Sequence, residues 1–169
     1  MMRKWFSGIL LTGSLAILFF LLFFPRYTAL NLLSVNKGRV LFCAEMKEGE
    51  EFVISFIHSV NQRPVFDTLR VEGDHLVIVR SRFDTFGAGM PETSAGGTTL
   101  QLDQYGWLVS TVNRRVPEVT VFVGRVANHT LHLKGRHFAL HDLSEPGSSV
   151  SMRPGRVSYY DIWRGGCLR

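Results

Sequence analysis

The sequence predicts an all-β domain, a compact β-sandwich or closed barrel of about eleven short, mainly antiparallel strands, preceded by one N-terminal transmembrane helix. Three observations carry that expectation. The run from Trp5 to Phe24 holds 20 residues without a charge. Beyond it, short stretches rich in β-branched and aromatic residues alternate with Gly, Pro, Asn and Asp. No apolar stripe at 3.6-residue spacing interrupts them.

As a helix, the uncharged run covers roughly 30 Å, the thickness of a bilayer's hydrocarbon core. A cleaved signal peptide has a shorter apolar region, about 7 to 15 residues, and ends in small residues. Here Pro25, Arg26 and Tyr27 follow directly. A retained signal anchor is therefore expected over residues 1–26, with a cleaved secretory peptide as the competing reading. Arg3 and Lys4 precede the run and Arg26 alone follows it closely, so the positive-inside rule leaves the N-terminus in the cytoplasm. The chain is then a single-pass protein of the cell inner or plasma membrane, with its C-terminal domain periplasmic or extracellular. Residues 27–37 read as a stalk and residues 38–169 as the extracytoplasmic β-domain.

The formal charge of +5 is largely topological. Setting aside Arg3, Lys4 and Arg26 leaves 16 of the 19 basic side chains against 14 acidic ones. These are scattered singly, without the clustered basic face that a phosphate backbone requires, so nucleic acid is not an expected partner. Cys43 and Cys167 leave two readings open. They form one disulfide in an oxidising compartment, or they are a core residue and a tail thiol.

The first strands are RVLFCAE, EFVISFIHS, VFDTLRVEG and HLVIVRSRF, separated by KEGE, NQRP and GD turns. After a glycine-rich stretch the pattern resumes with TTLQLD, WLVSTV, VTVFVG, HTLHLKG, HFALHD, SSVSMRP and VSYYDIW. Leu131 and Leu133 alternate with His132, as in a strand with one wet face.

Six histidines invite a metal reading. His129 and His132 point to opposite faces of a strand, and His137 and His141 share a face but stand about 13 Å apart. Neither pair chelates one ion alone, and neither cysteine has a neighbouring ligand at zinc spacing. No metal and no cofactor are expected. Two loops are the candidate binding or structural sites. The first comprises His58, Ser59, Val60, Arg63 and Pro64, with Asp67 entering the next strand. A Ser–His–Asp hydrolase suggests itself there, but His58 and Ser59 are adjacent and project oppositely, and no G-x-S-x-G surrounds Ser59. No catalytic residue is assigned. The second is the glycine loop Phe86, Gly87, Ala88, Gly89, Met90, Pro91 and Glu92, with Arg82 ahead of it. It lacks the Lys-Ser/Thr of a phosphate loop. Its exposed amides could bind a carboxylate or a partner strand. Arg63, Asp67, Arg82 and Asp84 would form one charged cluster if the hairpins aligned.

FIHSVNQRPVFD followed by RFDTFGAGMP resembles a bacterial domain-of-unknown-function family, number eighteen-fifty. The likeness covers roughly His58 to Trp163. It rests on the His58-Ser59-Val60 turn with Pro64 and an acid at Asp67, and on Phe86 to Pro91. The family favours glutamate where this chain has Asp67. Its members are often encoded beside TAXI-type TRAP permeases, which import organic anions with an exported solute-binding protein. The resemblance implies a transport accessory role, with the permease or its solute-binding protein as partner, and supplies no catalytic residues. The leading expectation is a non-enzymatic accessory or assembly subunit. The alternatives are a small-molecule or ion-binding envelope module and an envelope hydrolase.

Overall fold

The computed structural model describes residues 2–85 and 99–169, without the side chains of the first ten residues. A helix, α1 (Met2–Phe23), leads into β1 (Tyr27–Ser34), β2 (Val40–Glu45), β3 (Glu51–Ile57), β4 (Pro64–Glu72) and β5 (His75–Phe83). Then follow β6 (Thr99–Leu102), β7 (Leu108–Val116), β8 (Val119–Phe122), β9 (Thr130–Leu133) and β10 (Arg136–Ala139). Short helices α2 (Leu140–Leu143) and α3 (Tyr159–Trp163) flank β11 (Ser149–Val157).

The strands form two antiparallel sheets, β2-β1-β11-β8 and β10-β9-β3-β4-β5-β7-β6. One core lies between them. Leu30, Leu32 and Met152 from the four-stranded sheet meet Phe52, Leu131 and Leu76 from the seven-stranded one, all buried. This is a β-sandwich. The closed barrel, the other architecture that many short strands allowed, is not formed: both sheets keep open edges.

Local chemistry sets the hairpins. Lys134 and Gly135 both have positive φ, 51° and 71°, so the two-residue turn between β9 and β10 has the handedness that matches strand twist. It pairs Leu133 with Arg136 and His132 with His137. Strict alternation from Leu76 would put Arg80 and Arg82 on the core side with Ile78. An irregularity at Val79 resets the phase: Leu69 pairs with Ile78, but Thr68 pairs with Arg80 and Asp67 with Ser81. Ser81 and Phe83 thereby share the inner face with Asp67 and Val65, and the arginines face out.

Two segments depart from the sequence expectation. Residues 27–37, read as a stalk, contain β1, which lies between β2 and β11 with Ala29, Leu30 and Leu32 fully buried. The folded domain therefore starts at Tyr27. The stretch VSYYDIW, read as a strand, ends β11 and then forms α3. Ser158 Oγ accepts from Asp161 N, and Asp161 Oδ2 accepts from Ser158 N, a capping box that fixes the helix start. Cys43 and Cys167 are joined in a disulfide closing 124 residues of chain, and Leu168 bridges Ala44 beside it. A loop this long places the chain-entropy contribution of the bond near 5 kcal/mol.

Candidate functional site

The turn after β3 is fixed by its own hydrogen bonds. His58 N donates to Arg63 O at 2.8 Å and Gln62 N to His58 O at 3.0 Å, with Gln62 in the left-handed region at φ 55°. Gln62 Nε2 donates to Ser59 O at 2.9 Å, and His58 Nδ1 accepts from Val60 N at 3.3 Å. The loop is also fastened to the end of β5. Arg63 pairs with Asp84, and Asn61 Nδ2 donates to Thr85 O at 3.4 Å. The Arg63 guanidinium holds the Asp84 carboxyl below the usual carboxylate range. Asp84 and Thr85 lead into Phe86 to Glu92, which lies outside the described residues. Around this joint Ser59 and Arg63 are exposed, and Val60 presents an apolar side chain that is 68% exposed.

Arg82 is not part of that joint. On the outer face its Nε donates to Asp103 Oδ2 at 2.9 Å, and its guanidinium lies over the Trp107 ring, 4.5 Å from the centroid. Asp103 also accepts from the amides of Tyr105 and Trp107, and Phe66 meets Trp107 edge-on at 5.8 Å. The expected cluster of four charges thus divides. Arg63 pairs with Asp84, Arg82 with Asp103, and Asp67 points elsewhere.

Asp67 faces the interior. It accepts a short hydrogen bond from Ser81 Oγ, and Ser81 is in register with Ser110 on β7. Ser110 is fully buried, and its Oγ has no partner among the described residues. A cavity of about 80 Å³ opens beside Asp67, walled by Ile54, Phe56, Val121 and Met152, with His129 on its rim. Burial pushes the Asp67 carboxyl up, and the Ser81 hydrogen bond offsets part of that. Burial pushes His129 down, and its buried Nδ1 has no partner among the described residues. The result is an apolar chamber with one carboxyl, one neutral imidazole and a spare hydroxyl nearby. Such orphaned groups are uncommon in protein interiors and cost stability unless something completes them.

His58 bonds within its own loop and Asp67 bonds to Ser81, so no hydrogen bond joins them into a Ser59–His58–Asp67 triad among the described residues. A third polar row lies outside. Ser55 Oγ is 2.6 Å from His132 Nε2, and His132 Nδ1 is 2.6 Å from His137 Nδ1. The chain is consistent with Ser55 donating to His132 and His132 donating to His137. Burial, then the neighbouring His137, push the His132 pKa down. Pairing histidines only along single strands overlooked this cross-strand contact, although the Lys134-Gly135 turn specifies it. No group of three or more His, Cys, Asp or Glu positioned for a metal ion occurs among the described residues.

The fold and these loops define a small two-sheet β domain with a braced surface loop and an apolar interior chamber that holds Asp67. The chain belongs to the family described as Domain of unknown function (DUF1850), which matches residues 52–140, more than half of its 169 residues. The match includes the 58–64 loop, Asp67, Ser81, Ser110 and His129. No curated protein and no solved structure matches the chain.

Proposed function

We propose that this protein is a membrane-anchored, extracytoplasmic accessory or assembly subunit of a TAXI-type TRAP transporter for organic anions, and that it docks through the 58–64 loop. The bracing of that loop against Asp84 and Thr85 carries the proposal. It holds exposed Val60 and Arg63 in place before any partner arrives, which lowers the ordering cost of binding. Arg63 and Asn61, from the first stretch that carries the family likeness, meet Asp84 and Thr85 at the start of the second. The TRAP context comes from the family resemblance. Among the described residues no helix is long and apolar enough to cross a membrane. The expected span starts at Trp5, among residues whose side chains are outside that description. Supporting an anchor, the described part of α1 exposes Leu11, Leu15, Ile17, Leu18, Phe19 and Phe20, each more than half accessible, around the helix. The disulfide suits an oxidising compartment.

The test is mild-detergent co-purification of the tagged full-length protein from native membranes, beside Val60→Asp, Arg63→Ala and an anchor control of residues 1–26, which ends before β1. A permease or solute-binding protein recovered with the full chain, absent from the control and reduced severalfold by both substitutions, is the expected result. Equal recovery by the variants removes the docking role of the loop. Recovery of no transporter component removes the accessory reading.

The chamber at Asp67 favours a second reading, a small-molecule-binding envelope module. About 80 Å³ holds a few waters or a molecule of a few heavy atoms. Melting of the full chain in a panel of short organic acids addresses it. A concentration-dependent rise in Tm that Asp67→Asn abolishes supports ligand binding, and a flat response across the panel removes it.

A further inference from the structure

The place where α1 leaves off and the β-domain begins is built from aromatic rings and arginines. The Phe23 ring, on the last turn of α1, packs at a tilt of 33° against Tyr160 of α3 with centroids 4.8 Å apart. Tyr160 in turn lies 6.4 Å from Trp163, three residues on and so on the same side of α3. Trp163 is 72% exposed, an unusual position for the largest apolar side chain on a surface that meets only water. The guanidinium of Arg164 sits 5.6 Å from the Tyr160 ring, and that of Arg26 sits 5.1 Å from the Tyr27 ring. Arg156 Nη1 donates to the backbone carbonyl of Arg26 at 3.2 Å.

We propose that these residues form a collar that seats the domain on the membrane by binding the phosphates of anionic phospholipid headgroups. The proposal rests on the anchored reading of α1. A helix of 22 residues is about 33 Å long, so if its first turns enter one face of the bilayer, Phe23 to Arg26 emerge at the other. The ring contact with Phe23 fixes Tyr160, and hence Trp163, at that same depth. Tyr and Trp favour this zone because their rings are apolar and their polar atoms want water. Charge complementarity selects the lipid class. Arg26 and Arg156 have no acidic partner among the described residues, and Arg164 reaches Asp161 only at 3.9 Å. The guanidinium fork matches phosphate oxygens, and basic groups beside a span are drawn to anionic headgroups.

α3 is also held rigidly enough to act as a seat. The capping box fixes its first turn, and the Cys43–Cys167 disulfide ties the chain just beyond its last turn to β2. A seat of this kind fixes which way the 58–64 loop faces relative to the bilayer, which a flexible stalk would leave free.

The full chain in vesicles of phosphatidylcholine, with or without phosphatidylglycerol, tests the collar. Subtracting the fluorescence of Trp163→Phe isolates the Trp163 component. That component is expected to shift to the blue, to be quenched by lipids brominated near the headgroup, and to lose most of its quenching by aqueous iodide. The bromolipid quenching is expected to grow when phosphatidylglycerol is present, and Arg156→Gln with Arg164→Gln removes that increment. If the chain stays with the vesicles through alkaline extraction but Trp163 is quenched by iodide and not by bromolipid, the collar is overturned and the anchor stands. Quenching indifferent to lipid charge overturns the headgroup phosphate as its ligand. If alkali strips the chain from the vesicles, the anchored reading falls and takes the collar with it.

Discussion

Two parts of the interior share one sheet and differ in kind. Where β3 and β9 face β1 and β11, Leu131, Leu133, Leu32 and Phe52 are all buried within one apolar cluster. On β4, β5 and β7, past the irregularity at Val79, the inward positions include Asp67, Ser81 and Ser110 beside Val65 and Phe83, and the packing opens into a chamber at Asp67. The first region supplies stability in the ordinary way, by removing apolar surface from water. The second costs stability: a carboxyl only partly compensated by Ser81 and two unpaired polar atoms are kept inside a domain too small to do so freely. Positions that break a local rule without a structural benefit are where a functional constraint is to be sought.

The comparison breaks most severely on its apolar side. Leu131 has no exposure and sits in the central cluster. Leu131→Ala should remove about 3 kcal/mol of stability, since the surrounding sheets cannot close on the space left behind. In a domain of this size that lowers Tm by roughly 10 °C. Thermal melting of the oxidised protein checks it, and a loss of only a degree or two would mean that the core relaxes and that the two regions are less distinct than their packing shows.

How far each region could be read in advance follows the same division. Alternation along β9 marked Leu131 and Leu133 as core, because a period of two is a local property. The cysteines were visible, but their pairing depends on α3 turning back toward β2. Ser158 and Asp161 carried a capping-box signal for that turn, masked by the aromatic, strand-like composition of YYDIW. β1 was obscured by its place directly after the apolar run, where Leu30 and Leu32 look like more of the same. Asp67 and His58 were singled out together as neighbours in a motif, yet they belong to different surroundings, one in the chamber and one in a surface turn. The chamber was illegible because it needs the phase reset at Val79. Without that reset, alternation assigns Arg80 and Arg82 to the interior and Ser81 to solvent, and nothing then brings Ser81 or Ser110 to Asp67. His129 was weighed only as a metal ligand, so its unpartnered Nδ1 went unseen.

Asp67→Asn is the smaller change, and its sign sharpens the comparison. Burial raises the folded-state pKa of Asp67 above its unfolded value. A carboxyl shifted that way adds no cost below the unfolded range, near pH 4, and lowers stability as pH rises through the folded pKa. Asparagine fills nearly the same volume, can still accept from Ser81 Oγ, and carries no charge to desolvate. The variant should therefore melt above the parent at neutral pH, by a few degrees if the cost is on the order of 1 kcal/mol. The gap should narrow as pH falls toward about 4 and close below it, where the parent's carboxyl is protonated in both states. Melting both proteins across that range isolates the residue, since every other titrating group is common to the pair. A variant that melts lower at neutral pH would mean that the Asp67 carboxylate is already compensated inside the domain. Asp67 would then belong with the apolar core, as a structural residue, and the chamber would lose its claim to be a binding site.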